Sequence, residues 1–338
     1  MENKQCLGVQ KRSLKDSKKY KFVVMGLLVI LLVVGFIIGN SKGTAEVSIA
    51  RIFEVILNDD GSTERMIIWN IRLPRMILAV LVGINLALSG SILQGVMKNP
   101  LADPGIIGIS SGAGLFGIFV IIVLPQHIKL VPIAAFAGAM IAALIIYSLA
   151  WKGGIQPTRI ILAGVAVSAL FGAGISATLV FYSDRVHGAL TFMNGSLSAR
   201  SWPDVQMILP YTIVGLILSI VLHEKLNILI LGDDVARGLG LNVELTRFGF
   251  TALAALLAAS AVSVVGLLGF VGLIVPHSIR LLIGNDYKYL FPASALLGGV
   301  LLTFSDTFAR TILSPTEIPV GIVMAILGVP FFLFLLRR

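Results

Sequence analysis

The sequence predicts an all-α, polytopic membrane protein of about ten transmembrane helices. Three observations carry this. The 338 residues are 57% hydrophobic and only 13% charged, whereas soluble domains carry about a quarter charged residues. The mean hydropathy is +0.97, and the apolar residues fall in runs near the roughly 20 residues a helix needs to cross a bilayer. These runs are continuous and do not alternate with period two, which sets aside a β-barrel. Without water, backbone groups must be satisfied within each segment, so a helical bundle follows.

The first 21 residues hold seven of the 26 Lys and Arg. That is the pattern of a basic cytoplasmic tail (1–21) lying at anionic headgroups, and it makes the net charge of +9 a topology signal with no nucleic acid implied. The run 22–39 is the first expected span and opens a transmembrane domain, 22–338. No A-x-A-like cleavage site follows it, so a retained helix is expected instead of a signal peptide. Cys6 is the single cysteine and is read as a free thiol. The loop 40–68 carries no motif. Further spans are expected near 76–97, 105–124, 131–150, 160–182, 206–222, 248–268, 270–283, 290–308 and 319–336. The eighth is short, and Pro276 removes a backbone donor within it, so it should face the interior. Ten spans return Arg337 and Arg338 to the side of the tail. With that orientation inner segments hold 17 Lys/Arg and outer segments 9, or 10 against 9 without the tail. The orientation therefore rests on the tail. It leaves Arg72, Arg75, Arg185, Arg200 and Arg310 on the outer face to be explained.

Glycines spaced as Gly35–Gly39 and Gly108–Gly112, and every third residue at Gly266, Gly269 and Gly272, are expected to let helices approach closely. Between the second and third spans, Asn99–Pro104 reads NPLADP, a turn in which Asn99 can cap and two prolines stop helix continuation. Lys152–Thr158 is its counterpart between the fourth and fifth spans.

Enzyme signatures are nearly absent. No Lys is followed by Ser or Thr, so there is no Walker A loop. His127, His187, His223 and His277 are scattered; no metal ligand set, cofactor site or catalytic residue is expected. Most acids avoid span centres. Asp306, in the ninth span, is four residues before Arg310, so the two share a helix face. A structural ion pair and, alternatively, the coupling residue of an ion-driven transporter are both readings of Asp306.

The stretch Leu231–Asn242, LGDDVARGLGLN, is a polar island between long apolar runs. Gly232 and Asp233 can open a short helix, with Asp233 as N-cap and Asp234 in the first turn. Val235, four before Leu239, shares a face with it; Ala236 and Arg237 complete the turn, Gly238 and Gly240 stop it, and Asn242 can cap a second turn that includes Glu244. An ordinary interfacial loop is one reading. The other is a capped amphipathic knob that can transmit force to the spans on either side.

Several motifs together resemble the FecCD-type permeases of ABC importers, which carry iron–siderophore complexes and cobalamin. They are RLPR at Arg72–Arg75, ALSGSILQGVMKNPLADPGIIGISSGAGL at Ala87–Leu115, RIILAGVA at Arg159–Ala166, NGSL at Asn194–Leu197, the island, GFVGLIVPHSIRL at Gly269–Leu281 and EIPVGIVMAILGVPFF at Glu317–Phe332. The resemblance runs from about residue 70 to the C-terminus. It implies the type II importer permease fold in the cytoplasmic membrane, with both termini cytoplasmic and a cytoplasmic coupling loop at about 223–247. The implied partners are a second permease chain, either a copy or a different one, two cytoplasmic ATPase subunits and an extracytoplasmic substrate-binding protein. It further implies that Gly232–Arg237, Leu239 and Gly240 seat on the ATPase, and that Arg72, Arg75 and Arg310 pair with glutamates of the binding protein. Asn99 and Leu101 match a cytoplasmic gate, with Gln156, Pro157 and Thr158 as the approximate second gate. Phe192, Gly195, Ser196 and Trp202 border the translocation cavity. Arg185 and Arg200 gain no role and are read as solvated charges. The implied cargo is a ferric siderophore, with cobalamin or haem as the alternative.

Overall fold

The computed structural model describes residues 17–43, 47–57, 61–105, 108–151 and 157–336. Most of the basic tail with Cys6, Gln156, and the final two arginines lie outside them. The helices, in chain order, are α1 (Lys18–Ser41), α2 (Ile49–Leu57), α3 (Thr63–Ile67), α4 (Leu73–Val96), α5 (Ile109–Val123), α6 (Val131–Ala150), α7 (Pro157–Phe181) and α8 (Val186–Asn194). They continue with α9 (Trp202–Val221), α10 (His223–Leu229), α11 (Asp233–Gly238), α12 (Val243–Val265), α13 (Val271–Ile283), α14 (Tyr287–Thr311) and α15 (Val320–Leu336). Seven helices are long and apolar enough to cross a membrane, counting α4 with the turns that lead into it; α5, α13 and α15 are shorter and apolar. The ten expected spans correspond to these ten helices.

α4 is the mast of the bundle. Every residue from Asn85 to Val96 is buried, and a helix buried on all sides belongs at a core. It packs on α14, α12, α13 and α9. Small residues make this possible. A methyl on Gly83 would overlap the Gly298 carbonyl of α14, and one on Gly90 would overlap Gly272 of α13. Polar side chains then join the helices: Asn85 Nδ2 donates to Ser260 Oγ at 3.0 Å, the Ser89 hydroxyl to the Ala254 carbonyl at 2.7 Å, and Gln94 Nε2 to the Gly272 carbonyl at 3.0 Å. Such bonds hold membrane helices together where hydrophobicity cannot discriminate. The expected glycine pairs act in the same way: Gly35 seats α1 on α14, Gly39 seats it against Met76 of α4 and Thr307 of α14, and Gly112 seats α5 on Gly138 of α6. Of the glycine triplet, Gly269 meets open space.

Three boundaries differ from the sequence expectation. The second span does not begin at 76: helix runs back to Thr63 through a π-helical turn, Ile68–Arg72. Pro74 has no N–H for the carbonyl four residues earlier, and the wider turn accommodates its ring. The third span starts at Ile109, behind Gly108, whose φ is +92°. The eighth span, α13, has 13 residues and so rises about 20 Å, short of the roughly 30 Å hydrocarbon core. The non-helical segment 266–270 completes the crossing. It is tolerated because it is held by protein: Leu267 N–H donates to the Phe192 carbonyl at 2.9 Å, and Ser196 N–H to the Val265 carbonyl at 2.8 Å.

Candidate functional site

Polar chemistry concentrates at the two ends of the bundle. At one end Arg72, Arg75 and Arg310 converge, all at most 6% exposed. Arg75 grips Asp306 with two hydrogen bonds, Nε to Oδ2 and Nη2 to Oδ1, each 2.9 Å, and Nη1 donates to Glu317 Oε2 at 2.9 Å. Asp306 therefore engages α4 and not Arg310 on its own helix, which corrects the expected i,i+4 pair. Arg72 Nη1 donates to the Asn40 and Ser41 carbonyls at 2.8 and 3.2 Å, and Arg310 Nη2 donates to the Gly39 carbonyl. These are the last carbonyls of α1, which have no partner within the helix and attract cations. Glu317, in the turn before α15, is the exposed member of the cluster, at 36%. Burial pushes its carboxyl up, but the Arg75 charge and hydrogen bonds from Arg75 and Ser198 outweigh this and hold it below the usual range.

At the opposite end stands the island. Asp233 and Asp234 occupy the first turn of α11, where carboxylates meet the positive dipole end. The N-cap is Gly232 at φ +123°, one residue before the expected Asp233. The helix closes as a Schellman motif, with Gly240 at φ +80°. The Gly240 N–H donates to the Arg237 carbonyl at 2.9 Å and Leu241 N–H to the Ala236 carbonyl at 3.0 Å. Gly240 is thus the terminator, and Gly238 remains the last helical residue. Asn242 Oδ1 accepts from Leu245 N–H at 3.0 Å and opens α12. Arg237 Nη2 donates to Glu244 Oε1 at 2.8 Å, and its Nη1 lies 3.7 Å from Asp234 Oδ1. Ala236 is buried, while Val235 and Leu239 are 50% and 61% exposed. A knob so rigidly capped presents two apolar side chains outward, the arrangement of a contact surface.

Asp233 points the other way and ties the knob to the bundle. Its Oδ1 accepts from Lys98 Nζ at 3.1 Å, and Arg247 Nη2 donates to Oδ1 and Oδ2 at 2.9 and 3.0 Å. Burial pushes its carboxyl up, but Lys98 and Arg247 outweigh this and hold it below the ordinary range. Lys98 has φ +50°, a left-handed conformation uncommon for such a side chain. It immediately precedes Asn99, whose Oδ1 accepts from Leu101 N–H at 2.9 Å in an Asx turn. The expected gate turn and the expected knob are therefore one charge-linked unit. The sequence reading singled out neither Lys98 nor Arg247; the basic residue abutting NPLA was the available signal. Thr158 is exposed at the start of α7, and the Pro157 side chain lies outside the described residues.

The segment 192–202, at the arginine end, is pinned to the bundle. Phe192 is buried beneath Gly117 and Ala135. Gly195 has φ +68° and its carbonyl accepts from Gly321 N–H at 3.1 Å; Ser196 Oγ accepts from Ser198 N–H at 3.1 Å. Trp202 Nε1 donates to the Trp69 carbonyl at 2.8 Å, and the two rings lie 5.5 Å apart. Arg200 is not a solvated charge, because its side chain is 25% exposed. Arg185 is half exposed, with a bond to the Ile122 carbonyl.

Known proteins are similar to this chain over most of its length. An Fe(3+)-citrate import system permease protein of Bacillus subtilis is 41% identical over 326 residues, 96% of this chain and 98% of the relative. A hemin transport system permease protein of Yersinia pestis is 40% identical, over 94% of this chain and 96% of its own length. A cobalamin import system permease protein of Halobacterium salinarum is 44% identical, over 81% of this chain and 74% of its own. A metal-chelate type ABC transporter solved in an inward-facing conformation superposes with a TM-score of 0.83 at 28% identity, covering 93% of this chain and 98% of that one. The profile of the FecCD transport family matches residues 30–338, and with these relatives it places the chain in that family of ABC importer permeases.

Proposed function

We propose that this chain is the membrane-spanning subunit that carries a ferric chelate of the siderophore or citrate class across the cytoplasmic membrane, powered by separate ATPase subunits. The single observation that carries the mechanism is the Lys98–Asp233–Arg247 link, which joins an exposed, capped knob to the turn at Asn99 and Leu101. In this reading Gly232–Gly240 seats on the ATPase with Val235 and Leu239 outward. Asn99 and Leu101, with Pro157 and Thr158, close the cytoplasmic mouth. The knob end is cytoplasmic, as are both termini, and the arginine end faces outward, where Phe192, Gly195, Ser196 and Trp202 border the path. A binding protein docks over Arg72, Arg75 and Arg310. Because these arginines are buried and engaged, an incoming carboxylate reaches Arg75 by taking the place of Glu317, the exposed member of the cluster. ATP-driven closure of the ATPases favours one position of the knob, and access alternates through that differential contact. The relatives named for Fe(3+)-citrate, hemin and cobalamin import are 41%, 40% and 44% identical to this chain, so cobalamin or haem is the second reading of the cargo. An ion-driven carrier is disfavoured because both oxygens of Asp306 are held by Arg75.

The test is reconstitution with the partner ATPase and binding protein. Val235→Glu with Leu239→Glu alters two exposed positions and should leave the fold intact while ATPase copurification and uptake are lost. Undiminished copurification and uptake would overturn the proposal. The ligand that copurifies with the binding protein identifies the cargo.

A further inference from the structure

α6 and α9 both flank α12. Where their first turns begin, at the arginine end, a cavity of about 650 Å³ opens, lined by residues that include Lys129, Thr191, Phe192, Arg200, Ser201 and Asp204. Below it the rings of Phe136 on α6 and Tyr211 on α9 meet across the gap at 5.2 Å. Arg200 is three-quarters buried, and its Nε is buried without a hydrogen-bond partner. Its nearest acid is Asp204, with Nη1 3.9 Å from Oδ1, beyond hydrogen-bond reach. Asp204 is already committed, since its Oδ2 accepts from the Ser201 N–H at 2.9 Å and the Ser201 hydroxyl at 3.2 Å in the capping box of α9. Lys129 is exposed and makes no ion pair among the described residues. The cavity thus holds two cations against one acid whose Oδ2 is committed to the cap, an arrangement that leaves donors for an oxyanion.

The walls say which oxyanion. Ile128, just before α6, lines the cavity and is 61% exposed; close in the chain to the lining residues Pro132 and Met207, Ile133 in the first turn of α6 and Leu209 on α9 are 61% and 39% exposed. In a membrane protein such side chains face acyl chains. The cations sit at the ends of the spans, the height of the headgroups, where guanidinium and ammonium groups attract anionic lipid. We propose that this cavity holds the phosphate of an anionic phospholipid, with an acyl chain lying along the crevice between α6 and α9. The assignment does not depend on which end faces outward.

The purified permease complex, in nanodiscs of phosphatidylcholine alone or of equal parts phosphatidylcholine and phosphatidylglycerol, tests it by native mass spectrometry. Wild type should retain phosphatidylglycerol preferentially, with retention falling about fivefold for each of Lys129→Gln and Arg200→Gln. Arg200→Lys should keep most of it. Met207→Trp, which fills the cavity wall and leaves both charges, should lose the lipid while the protein stays folded. Equal retention by wild type and the double Gln variant would overturn the site. Displacement of the lipid by equimolar soluble glycerol phosphate would overturn the lipid assignment in favour of a free oxyanion.

Discussion

Asp233→Asn removes the negative charge shared by Lys98 and Arg247 while keeping the side chain's shape. Arg247 is the sensitive partner, because its side chain is 4% exposed whereas those of Asp233 and Lys98 are 34% and 36% exposed. Breaking a fully buried pair costs about 3–5 kcal/mol, and an exposed one about 0.2–1 kcal/mol. With one buried and one third-exposed partner, the Arg247 arm falls between, at about 1–2 kcal/mol, and the Lys98 arm adds about 0.5 kcal/mol. The expected loss is therefore about 2 kcal/mol in thermal unfolding of the complex, with Lys98→Gln non-additive with Asp233→Asn by about 0.5 kcal/mol. Asp234→Asn is the control: Asp234 is fully exposed, with only a 3.7 Å contact to Arg237, and stability should be unchanged. In reconstituted transporter, Asp233→Asn should hydrolyse ATP with reduced uptake per turnover, because the knob no longer pulls on Lys98 and the neighbouring turn. Equal losses of stability in the two Asn variants, or full uptake by Asp233→Asn, would refute the reasoning. The pH dependence has a definite sign. The folded carboxyl lies below its ordinary 3.8, so the stabilisation is present above that value and is lost as pH falls through the still lower folded one. The wild-type advantage over Asp233→Asn should be constant from neutral pH down to mild acid and shrink only below 3.8.

Two further outcomes concern the arginine end. Arg75→Gln strands Asp306, whose side chain is 1% exposed, and should cost about 3–5 kcal/mol; adding Asp306→Asn should recover part of the loss in thermal unfolding, and a double variant no more stable than the single would contradict the pairing. Glu317→Gln frees the outer edge of Arg75 while leaving the Asp306 grip, so binding-protein affinity should rise about fivefold, the equivalent of one exposed ion pair of about 1 kcal/mol, and unchanged affinity in a surface-binding assay would remove Glu317 from the docking exchange.

The spans, the island and its C-terminal stop were legible in the sequence because their signals are local, although the N-cap proved to be Gly232 and not Asp233. A run of apolar residues needs only its own length to be recognised, and a cap needs only a spacing: Asn242 three residues before Leu245, or Gly240 just past the last turn of α11. The absence of a Lys followed by Ser or Thr is equally local. The tertiary structure alone decided the partners. Asp306 lies 231 residues from Arg75, and Arg310, four residues from it, turns instead to the end of α1. Arg200 reads as a surface charge until α6, α8 and α9 enclose it. Asp233 reads as a cap until Lys98 and Arg247 reach it from two other elements. The physical reason is the solvent. In water, the polar face of a helix announces which side is exposed, but these helices are apolar all round, so hydropathy does not distinguish lipid from protein. Which faces meet was set by glycines that permit close approach and by the few polar groups that lipid cannot satisfy.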